Sequence, residues 1–289
     1  MDVVTVGDVM VDVRVEADAL EEGGDVHGRV VIRPGGSAAN AAVWAAQAGA
    51  RTRVHGRIGS DMAGALLREE LIAHGVEPAL VSDPSTDTGT MLVVHEPGER
   101  SMVADRGAGG HLRPGDLPET IEATAVLVSG YVLLFEPTHA AGRAALERAS
   151  ARFIAVDGAS WPMIRDFGPD RFFEATRCAT VLLANEREAE ALTGRRGERS
   201  VDTLAQRYPI VCVKLGEEGA VMSWDGLVIR NATEPVPELD PTGAGDAFDG
   251  VLLAKLAAGR SPGDALAAAC RAGAVVAASY ESWPERSAR

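Results

Sequence analysis

The stretch Asp240-Pro241-Thr242-Gly243-Ala244-Gly245-Asp246-Ala247-Phe248-Asp249-Gly250 stands between an acidic, proline-containing segment and an apolar run at residues 251–256. That run is apolar enough to predict a buried helix. Residues 243–245 therefore lie where a loop turns into a helix, and their small side chains let a ligand approach the backbone closely. Because the first N–H groups of a helix have no partner within it and carry partial positive charge, this turn predicts an anion-binding site.

Asp246 places a carboxylate directly beside the predicted anion site. A carboxylate repels a bound phosphate, so the position is unfavourable unless the residue takes part in chemistry. The chemistry that suits it is the removal of a proton from a hydroxyl group that attacks a phosphoryl group. The alternative is a glycine-rich turn in which Asp246 only caps the helix. Gly-x-Gly-Asp alone favours capping, whereas the whole eleven-residue string favours catalysis.

Composition limits the class of protein. The 289 residues are enough for one large α/β domain or two small ones, and 46% hydrophobic residues support a full core. Lys and Arg number 28 against 42 Asp and Glu, a net charge of −14. Such a chain is expected to be repelled by nucleic acid and by anionic membranes, so we expect neither as a partner.

The cysteines and the apolar runs predict a cytoplasmic protein. Cys178, Cys212 and Cys270 are scattered and show neither zinc-ligand spacing nor a disulfide framework, which fits a reducing compartment. The first residues read as a strand without a basic leader, so no signal peptide is expected. No apolar run reaches the roughly 18 residues that a membrane span needs.

Alternating strand-like and helix-like segments predict an α/β fold, with a doubly wound, mostly parallel sheet flanked by helices. Residues at about 13–33 and 88–104 interrupt this pattern as strands without helices, the second pair joined by a Pro97-Gly98 turn. We expect them to form a small antiparallel β-lid on a single domain spanning residues 1–289. Five apolar side chains on alternating lid positions are expected to cover the substrate, a partner's lid, or both: Val30, Ile32, Met91, Val93 and Met102.

Two segments near the start offer polar groups to a substrate. Asp12 follows the first predicted strand, and ligands of open α/β sheets bind beyond the carboxyl ends of strands; the alternative is a turn aspartate. The segment Gly35-Gly36-Ser37-Ala38-Ala39-Asn40 opens a helix predicted over residues 41–48. Its glycines allow close approach, and the Asn40 amide can both donate and accept hydrogen bonds to a polyol. The alternative is that Ser37 caps the helix and Asn40 is a surface residue.

Asn185 and Glu188 lie three residues apart at a predicted strand-to-helix turn, on one side of the first helical turn. They have the residue types that organise the water shell of Mg²⁺. They also have the form of a capping box, and the sequence leaves both interpretations open. Asp61 is predicted to cap the helix that follows it.

Taken together, these segments resemble the ribokinase-like (PfkB) carbohydrate kinase family nearly from end to end. The sharpest points of resemblance are Gly35-Gly36-Ser37-Ala38-Ala39-Asn40 and Asp240-Pro241-Thr242-Gly243-Ala244-Gly245-Asp246, in this order and separation. Asn185-Glu186-Arg187-Glu188 is similar to the family's Asn-x-x-Glu motif, and Lys214-Leu215-Gly216-Glu217-Glu218-Gly219 to its nucleotide-binding turn.

The resemblance implies an ATP-dependent phosphotransferase that acts on a primary hydroxyl of a small sugar or sugar acid and uses Mg²⁺. It further implies a homodimer formed through the lid, and in some members a monovalent cation such as K⁺. The roles it implies are catalysis by Asp246 as base with Gly243, Ala244 and Gly245 as anion hole; sugar binding by Asp12, Gly35, Gly36 and Asn40; nucleotide binding by Asn185, Lys214, Gly216, Gly219 and Thr242; and metal binding by Glu188 (Mg²⁺, through water) and Asp240 (a monovalent cation).

The chain departs from the family pattern at three places. Met10 stands where members often have Asn, which removes one sugar contact. Lys214 stands where many members have Thr. Residues 281–286 lack the Gly-Ala pair that borders adenine and the cation in the family.

Three alternative functions make different demands on the site. A nucleoside kinase of the same family needs an apolar or aromatic shelf for the base, and the lid segments contain few aromatic residues. A regulator that binds sugar or nucleotide without turnover is disfavoured by the intact Asp246 and glycine loop. A dinucleotide oxidoreductase is excluded because no Gly-x-Gly-x-x-Gly follows the first strand.

Overall fold

Strands form where β-branched and aliphatic residues run together, and the central ones are buried on both faces. The computed structural model describes residues 1–17, 23–96, 99–234 and 236–285, with the backbone alone for residues 95–96 and 99–100. Its strands are β1 Val3–Val6, β2 Met10–Glu16, β3 Arg29–Gly35, β4 Thr52–Gly59, β5 Val76–Asp83, β6 Thr88–Glu96, β7 Glu99–Gly107, β8 Ile121–Glu122, β9 Ala125–Val128, β10 Ala149–Ser150, β11 Phe153–Asp157, β12 Val181–Asn185, β13 Ile210–Lys214, β14 Ala220–Trp224 and β15 Leu227–Asn231.

Helices follow most of the central strands, many of them rich in alanine. In chain order they are α1 Ser37–Gln47, α2 Met62–Ala73, α3 Gly130–Leu134, α4 Glu136–Arg148, α5 Trp161–Phe167, α6 Pro169–Ala175, α7 Glu186–Thr193, α8 Glu198–Leu204, α9 Ala244–Ala257 and α10 Pro262–Ala277. Asp61 caps α2 as predicted, accepting a hydrogen bond from the Gly64 N–H at 2.7 Å. Within the described ranges, no helix is both long and apolar enough to cross a membrane.

The main sheet has the order β15-β14-β13-β12-β11-β9-β1-β4-β5. Neighbouring strands from β13 to β5 run parallel, and β14 and β15 add an antiparallel edge. The four residues of β1 and the four of β9 are all buried, which is typical of parallel strands covered on both faces. The predicted doubly wound sheet with flanking helices is confirmed.

The second sheet is the lid, with the order β3-β2-β6-β7. Its two hairpins are antiparallel, but β2 and β6 pair in parallel, so the lid is mixed rather than purely antiparallel. Each hairpin leaves the core and returns to it, and the hairpins meet through the strands that run in the same direction. The Pro97-Gly98 turn lies outside the described residues.

The five apolar lid side chains divide between two faces, because residues paired across a sheet share a face and neighbours along a strand do not. Met91, Val93 and Met102 are on the inner face with Asp12, as the pairings Asp12–Met91 and Val93–Met102 show. Val30 and Ile32 are on the outer face and are 63% and 58% exposed. The five side chains therefore form two separate surfaces, one on each face of the lid.

Element boundaries near the start differ from the sequence interpretation in two ways. The lid strand β2 begins at Met10, so Asp12 belongs to the lid, and Asp8 is the second residue after the carboxyl end of β1. Helix α1 begins at Ser37, with Gly36 at its N-cap and no side-chain cap. Asn40 is buried. The alternative in which Ser37 caps the helix and Asn40 lies on the surface is therefore wrong.

Helices α1 and α9 pack closely beside the central sheet. A side chain at Gly250 would place its Cβ 2.1 Å from the Ala41 carbonyl oxygen, so only glycine permits this approach. The packing brings the start of α1 next to the start of α9, although the two are separated by about 200 residues of chain. This contact creates the site.

Candidate active site

A cavity of about 1220 Å³ lies between the lid and the carboxyl-end edge of the main sheet. It is lined by most of the residues that the sequence proposed as functional: Asp12, Gly36, Asn40, Asn185, Glu188, Lys214, Gly216, Gly219, Thr242, Gly243, Ala244, Gly245 and Asp246. Two proposed residues are outside this lining. Gly35 packs behind Asp12, where a Cβ would lie 2.5 Å from the carboxylate, and Asp240 faces Arg14.

Asp246 is in the first turn of α9, and its carboxylate points toward α1. Ser37 Oγ donates to one oxygen at 2.8 Å, and Asn40 Nδ2 donates to the other at 2.7 Å. Asp246 does not cap its own helix, whose N-cap is Gly243, so the capping alternative is wrong. Burial raises the pKa of Asp246 to about 6, against the lowering effect of the two hydrogen bonds. A carboxylate in this range is suited to accept a proton near neutral pH.

The orientation of the Asn40 amide is set by a residue from the far end of the chain. Trp283 Nε1 donates to Asn40 Oδ1 at 2.7 Å, so the Asn40 NH₂ group faces Asp246. Sequence reasoning missed Trp283 because only the fold brings position 283 next to position 40. The chain Trp283–Asn40–Asp246 fixes the carboxylate before any substrate binds.

The start of α9 is the candidate anion hole. Gly243 has φ of 83°, a left-handed conformation that favours glycine, and residues 243–245 line the cavity. The Ala244 N–H is already donated to the Pro241 carbonyl at 3.1 Å, so the predicted contribution of this amide is wrong for the turn as it stands. Lys214 lies beside this turn, since a Cβ at Gly245 would be 3.5 Å from Lys214 Nζ. The turn therefore combines backbone donors with a nearby ammonium group.

Lys214 forms an ion pair with Asp249, one turn after Asp246, with Nζ 2.9 Å from both carboxylate oxygens. Both side chains are largely buried. Burial lowers the pKa of Lys214, but the charges of Asp249 and Glu188 outweigh it and keep the pKa above its usual value. Lys214 is thus a fixed positive charge beside the anion hole. The role of Asp249 in placing it was not apparent from the sequence.

Asn185 and Glu188 form a complete capping box at the start of α7. The Asn185 side chain accepts from the Glu188 N–H at 2.9 Å, and Glu188 accepts from the Asn185 N–H at 2.8 Å. Both residues also line the cavity, so the two interpretations of the pair are compatible. Glu188 is packed against Gly158, where a Cβ would lie 2.7 Å from its carboxylate.

Asp157, at the end of β11, brings a further carboxylate to the same wall. Its Oδ1 accepts from the Gly130 N–H at 3.0 Å, whereas its buried Oδ2 has no hydrogen-bond partner. Burial raises the pKa of Asp157 well above its usual value. An orphaned, buried carboxylate oxygen fits a cation or its water shell. Within the described residues there is no cluster of three or more His, Cys, Asp or Glu side chains able to hold a metal ion.

Asp12 enters the cavity from the lid, on the same face as Met91 and Met102. It is 4% exposed. Burial raises its pKa to about 7, with a smaller lowering effect from Arg14 and further raising effects from Asp246 and Asp240. A carboxyl held at this pKa can accept or donate a hydrogen bond to a substrate hydroxyl.

The remaining wall near the lid combines an ion pair with aromatic rings. Arg106 Nη2 donates to both oxygens of Asp8, at 2.6 and 2.8 Å, and its guanidinium lies 4.7 Å from the centre of the Phe135 ring. Tyr131 and Phe135, from α3 and the residue after it, line the cavity. The aromatic surface that a nucleoside base needs is therefore provided by the core and not by the lid segments. A count of aromatic residues in the lid could not predict it.

Asp240 braces the loop that leads to the anion hole. Its Oδ1 accepts from the Thr242 N–H at 2.9 Å and from Thr242 Oγ1 at 2.6 Å. Its Oδ2 lies 3.1 Å from Arg14 Nη1, and both side chains are buried. Sequence analysis did not identify Arg14, because a buried arginine in a lid strand has no local signature.

Residues 1–284 match the model of the pfkB family carbohydrate kinases. The chain is 32% identical to the fructokinase of Escherichia coli over 266 residues, covering 86% of this chain and 82% of that protein. It is 31% identical to the 2-dehydro-3-deoxygluconokinase of Thermoproteus tenax over 263 residues, covering 83% and 78%.

Among solved structures, the adenosine kinase of Sinorhizobium meliloti superposes with a TM-score of 0.88 at 25% identity, covering 98% of this chain and 96% of the other. The fructokinase of Vibrio cholerae O395 in its fructose-, ADP- and calcium-bound form superposes with a TM-score of 0.82 at 25% identity, covering 98% and 94%. These relatives include kinases of sugars, of a sugar acid and of a nucleoside.

Proposed function

This chain belongs to the pfkB family of carbohydrate kinases, and from this premise we propose that it transfers the γ-phosphoryl group of ATP to a primary hydroxyl of a small sugar or sugar acid, with Asp246 as the base. The family membership makes the chain a kinase of sugar hydroxyl groups. The assignment of each residue, the metal and the kind of acceptor is the proposal.

The observation that carries the proposal is the placement of Asp246. Its carboxylate is fixed by Ser37 and Asn40 at the entrance to an anion hole that Lys214 also faces. An acceptor hydroxyl that reaches Asp246 is thereby next to the position of the transferring phosphoryl group. Asp246 takes the hydroxyl proton, while the N–H groups of the α9 start and Lys214 stabilise the charge that develops on the phosphoryl oxygens.

The nucleotide is proposed to occupy the end of the cavity bordered by Lys214, Gly216, Gly219 and Thr242. Mg²⁺ would supply positive charge that offsets the charge of the phosphate oxygens. Glu188 is proposed to hold its water shell, together with the orphaned oxygen of Asp157. Asn185 donates to both carboxylate oxygens of Glu188, from its N–H at 2.8 Å and from Nδ2 at 2.6 Å, and each oxygen keeps a second lone pair for a water.

The acceptor is proposed to lie beneath the lid, against Asp12, Gly36 and Asn40. Closure of the lid over it excludes water, so that the γ-phosphoryl group passes from ATP to the acceptor hydroxyl rather than to water, and ADP leaves. The likeness to a fructokinase and to a sugar-acid kinase supports a sugar or sugar acid.

A nucleoside is the second candidate, and one observation favours it. Tyr131 and Phe135 line the lid end of the cavity together with Met91 and Met102, which is the apolar shelf that a base requires. The superposition with an adenosine kinase agrees with this reading.

The deciding experiment is an ADP-release assay with Mg·ATP across pentoses, hexoses, sugar acids and nucleosides. We expect a sugar or sugar acid to give the highest kcat/KM, and the Asp246→Asn variant to give background rates with the same acceptor. A nucleoside as the best acceptor would select the second candidate. ADP release by neither class would overturn the kinase proposal.

We further propose that the protein works in the cytoplasm as a homodimer formed through the lid. Three free cysteines, two of them buried, suit a reducing compartment. The outer lid face exposes Val30, Ile32 and Val103, and pairing of such faces about a two-fold axis would bury them.

A further inference from the structure

The region behind the anion hole contains a small cage of oxygen atoms. Asp240 contributes a carboxylate oxygen, Tyr280 its carbonyl oxygen and Ser282 its hydroxyl. Carboxylate, carbonyl and hydroxyl oxygens are the ligands that hard cations take in proteins. This is also the place where the family resemblance implied a monovalent cation, with Asp240 as its ligand.

The cage is filled by a side chain of the protein itself. Arg14 Nη1 lies 3.1 Å from Asp240 Oδ2 and donates to the Tyr280 carbonyl, and Arg14 Nη2 donates to Ser282 Oγ at 2.7 Å. The Arg14 side chain is 5% exposed and that of Asp240 is fully buried. A monovalent ion would have to displace the guanidinium from all three oxygens, so these residues do not fit such an ion.

The segment that closes the cage is fixed at several further points. Trp44 Nε1 donates to the Ser282 carbonyl at 2.8 Å, and Trp283 Nε1 donates to Asn40. The Pro284 carbonyl lies 3.2 Å from His74 Nε2. The departure from the family pattern that begins at residue 281 is therefore coupled to Arg14, since Ser282 supplies one of the guanidinium's three partners and the preceding Tyr280 supplies another.

We infer that Arg14 takes the place of a monovalent cation, so that the anion-hole loop is braced by a built-in positive charge and needs no added K⁺. Asp240 connects Arg14 to the loop, because it accepts two hydrogen bonds from Thr242. Because Arg14 lies in β2, two residues after Asp12, the same strand that carries a proposed acceptor ligand also supports the anion hole. Arg14 is a positioning residue and does not touch the reacting atoms. The inference rests on the proposed function only for its effect on turnover.

The first test measures the wild-type protein without substrates. Its melting temperature is compared in chloride salts of K⁺, Na⁺, Cs⁺ and tetramethylammonium at equal ionic strength. We expect the same value in all four salts, and the same kcat in K⁺ and tetramethylammonium buffers. A saturable stabilisation specific to K⁺, or a rate that depends on K⁺, would overturn the inference.

The second test empties the cage with Arg14→Ala. We expect kcat to fall by roughly tenfold to a hundredfold in tetramethylammonium buffer, because the loop loses its bracing charge. K⁺ should restore part of the rate and raise the melting temperature of this variant, with saturation. Arg33→Ala is the matched control, since Arg33 on the neighbouring strand pairs with half-exposed Glu281 and should show no K⁺ response. A variant that keeps wild-type kcat and ignores K⁺ contradicts the inference.

A third variant keeps the inference testable if Arg14→Ala does not fold. Arg14→Met combined with Asp240→Asn removes both buried charges, and we expect it to fold without any K⁺ response. A K⁺-specific rise in its melting temperature would show that the ion binds without the carboxylate and would overturn the inference. If no acceptor is phosphorylated by the wild type, the proposed function fails, while the melting experiments still decide whether Arg14 occupies the cation position.

Discussion

At the scale of single residues, Asp246 is the side chain that we propose as the base in phosphoryl transfer. Asp246→Asn keeps the size of the side chain and the ability to accept from Ser37 or Asn40, but it removes the base. We expect kcat to fall by roughly two to four orders of magnitude, the usual contribution of a general base. The KM of the acceptor should change far less. Asp202→Asn, an exposed position on α8, is the control. Wild-type turnover in the Asp246 variant would remove this residue from the base role.

The acidity of Asp246 gives a second prediction. The base must be ionised to accept a proton, and its pKa is about 6, so kcat/KM should fall as the pH drops through 6. Ser37→Ala removes a hydrogen bond that stabilises the ionised form. The pKa should then rise by roughly one unit, since a hydrogen bond to a charged group is worth about 1.5 kcal/mol or more.

The measurement is the pH dependence of kcat/KM for both proteins. A purely structural effect of Ser37→Ala would lower the plateau without moving the acidic limb. Overlapping limbs in the two profiles would show that the titrating group is not Asp246.

Candidate site residues that are adjacent in sequence were predictable, whereas residues that reach the site from distant parts of the chain were not. Asp246 and the glycines of residues 243–245 are adjacent in sequence, so their pattern alone indicated an anion hole beside a base. Ser37 contacts Asp246 across 209 positions, and Trp283 contacts Asn40 across 243. Such pairs depend on how α1 and α9 pack, and no local pattern encodes that.

At the scale of elements, Glu188 at the start of α7 caps its helix, and we propose that it also holds the water shell of Mg²⁺. Glu188→Gln weakens the capping box and also removes a negative charge from the cavity wall. We expect a loss of about 1 kcal/mol of stability, typical of a lost cap. We also expect a higher Mg²⁺ concentration for half-maximal activity, because a neutral amide holds the water shell less well.

A magnesium titration beside a thermal melt separates the two effects. Asp61→Asn is the matched control, since Asp61 caps α2 away from the cavity lining and should affect stability alone. An unchanged Mg²⁺ requirement in Glu188→Gln would restrict Glu188 to its capping role.

Strand and helix alternation predicted the main sheet correctly, but it could not set the boundaries that place Asp12. The run from residue 8 to residue 16 has no turn signal that marks where the core ends, so the start of β2 at Met10 became visible only in the structure. The aromatic shelf was missed for a similar reason. Tyr131 and Phe135 belong to a short helix after β9, and the sequence does not show that this helix faces the lid.

At the scale of the whole molecule, buried carboxyls lower the stability of the empty protein. The pKa of Asp12 is raised from 3.8 to about 7, so between these values the folded protein binds more protons than the unfolded chain. Stability contributed by protonated Asp12 is therefore lost as the pH rises through this window. Asp12→Asn removes the ionisation and should stabilise the protein above pH 7 by roughly 2 to 4 kcal/mol, since one pKa unit corresponds to about 1.4 kcal/mol.

The check is a set of melting curves for Asp12→Asn and the wild type from pH 4 to pH 8. The difference between them should be small near pH 4 and should grow toward pH 7. The variant should also bind the acceptor less well. A gain in stability together with a loss of acceptor binding would show that Asp12 is kept for binding although it lowers stability. Asp202→Asn serves as the exposed-carboxyl control. A difference that does not vary with pH would show that Asp12 ionises normally in the folded protein.

We expect the lid to set the assembly of the whole molecule as well. The outer face exposes Val30, Ile32 and Val103 by 63%, 58% and 64%, and an apolar sheet face of this kind is normally covered. Val93 is fully buried on the inner face, so a charge there would disturb packing rather than association alone. Ile32→Glu combined with Val103→Glu charges only the outer face. We expect this variant to be monomeric at micromolar concentration and the wild type to be dimeric, as measured by light scattering.

Met62→Glu is the matched control for that experiment, because Met62 is 90% exposed on α2 and lies outside the lid. It should leave the dimer intact. If closure of each lid is supported by its partner, the monomeric variant should also show a higher KM for the acceptor while KM for ATP stays the same, since the nucleotide end of the cavity is formed without lid residues. A wild-type protein that scatters as a monomer would reject the dimer. It would leave the kinase chemistry intact, because the described residues of one chain already bring Asp246, Lys214 and the anion hole together.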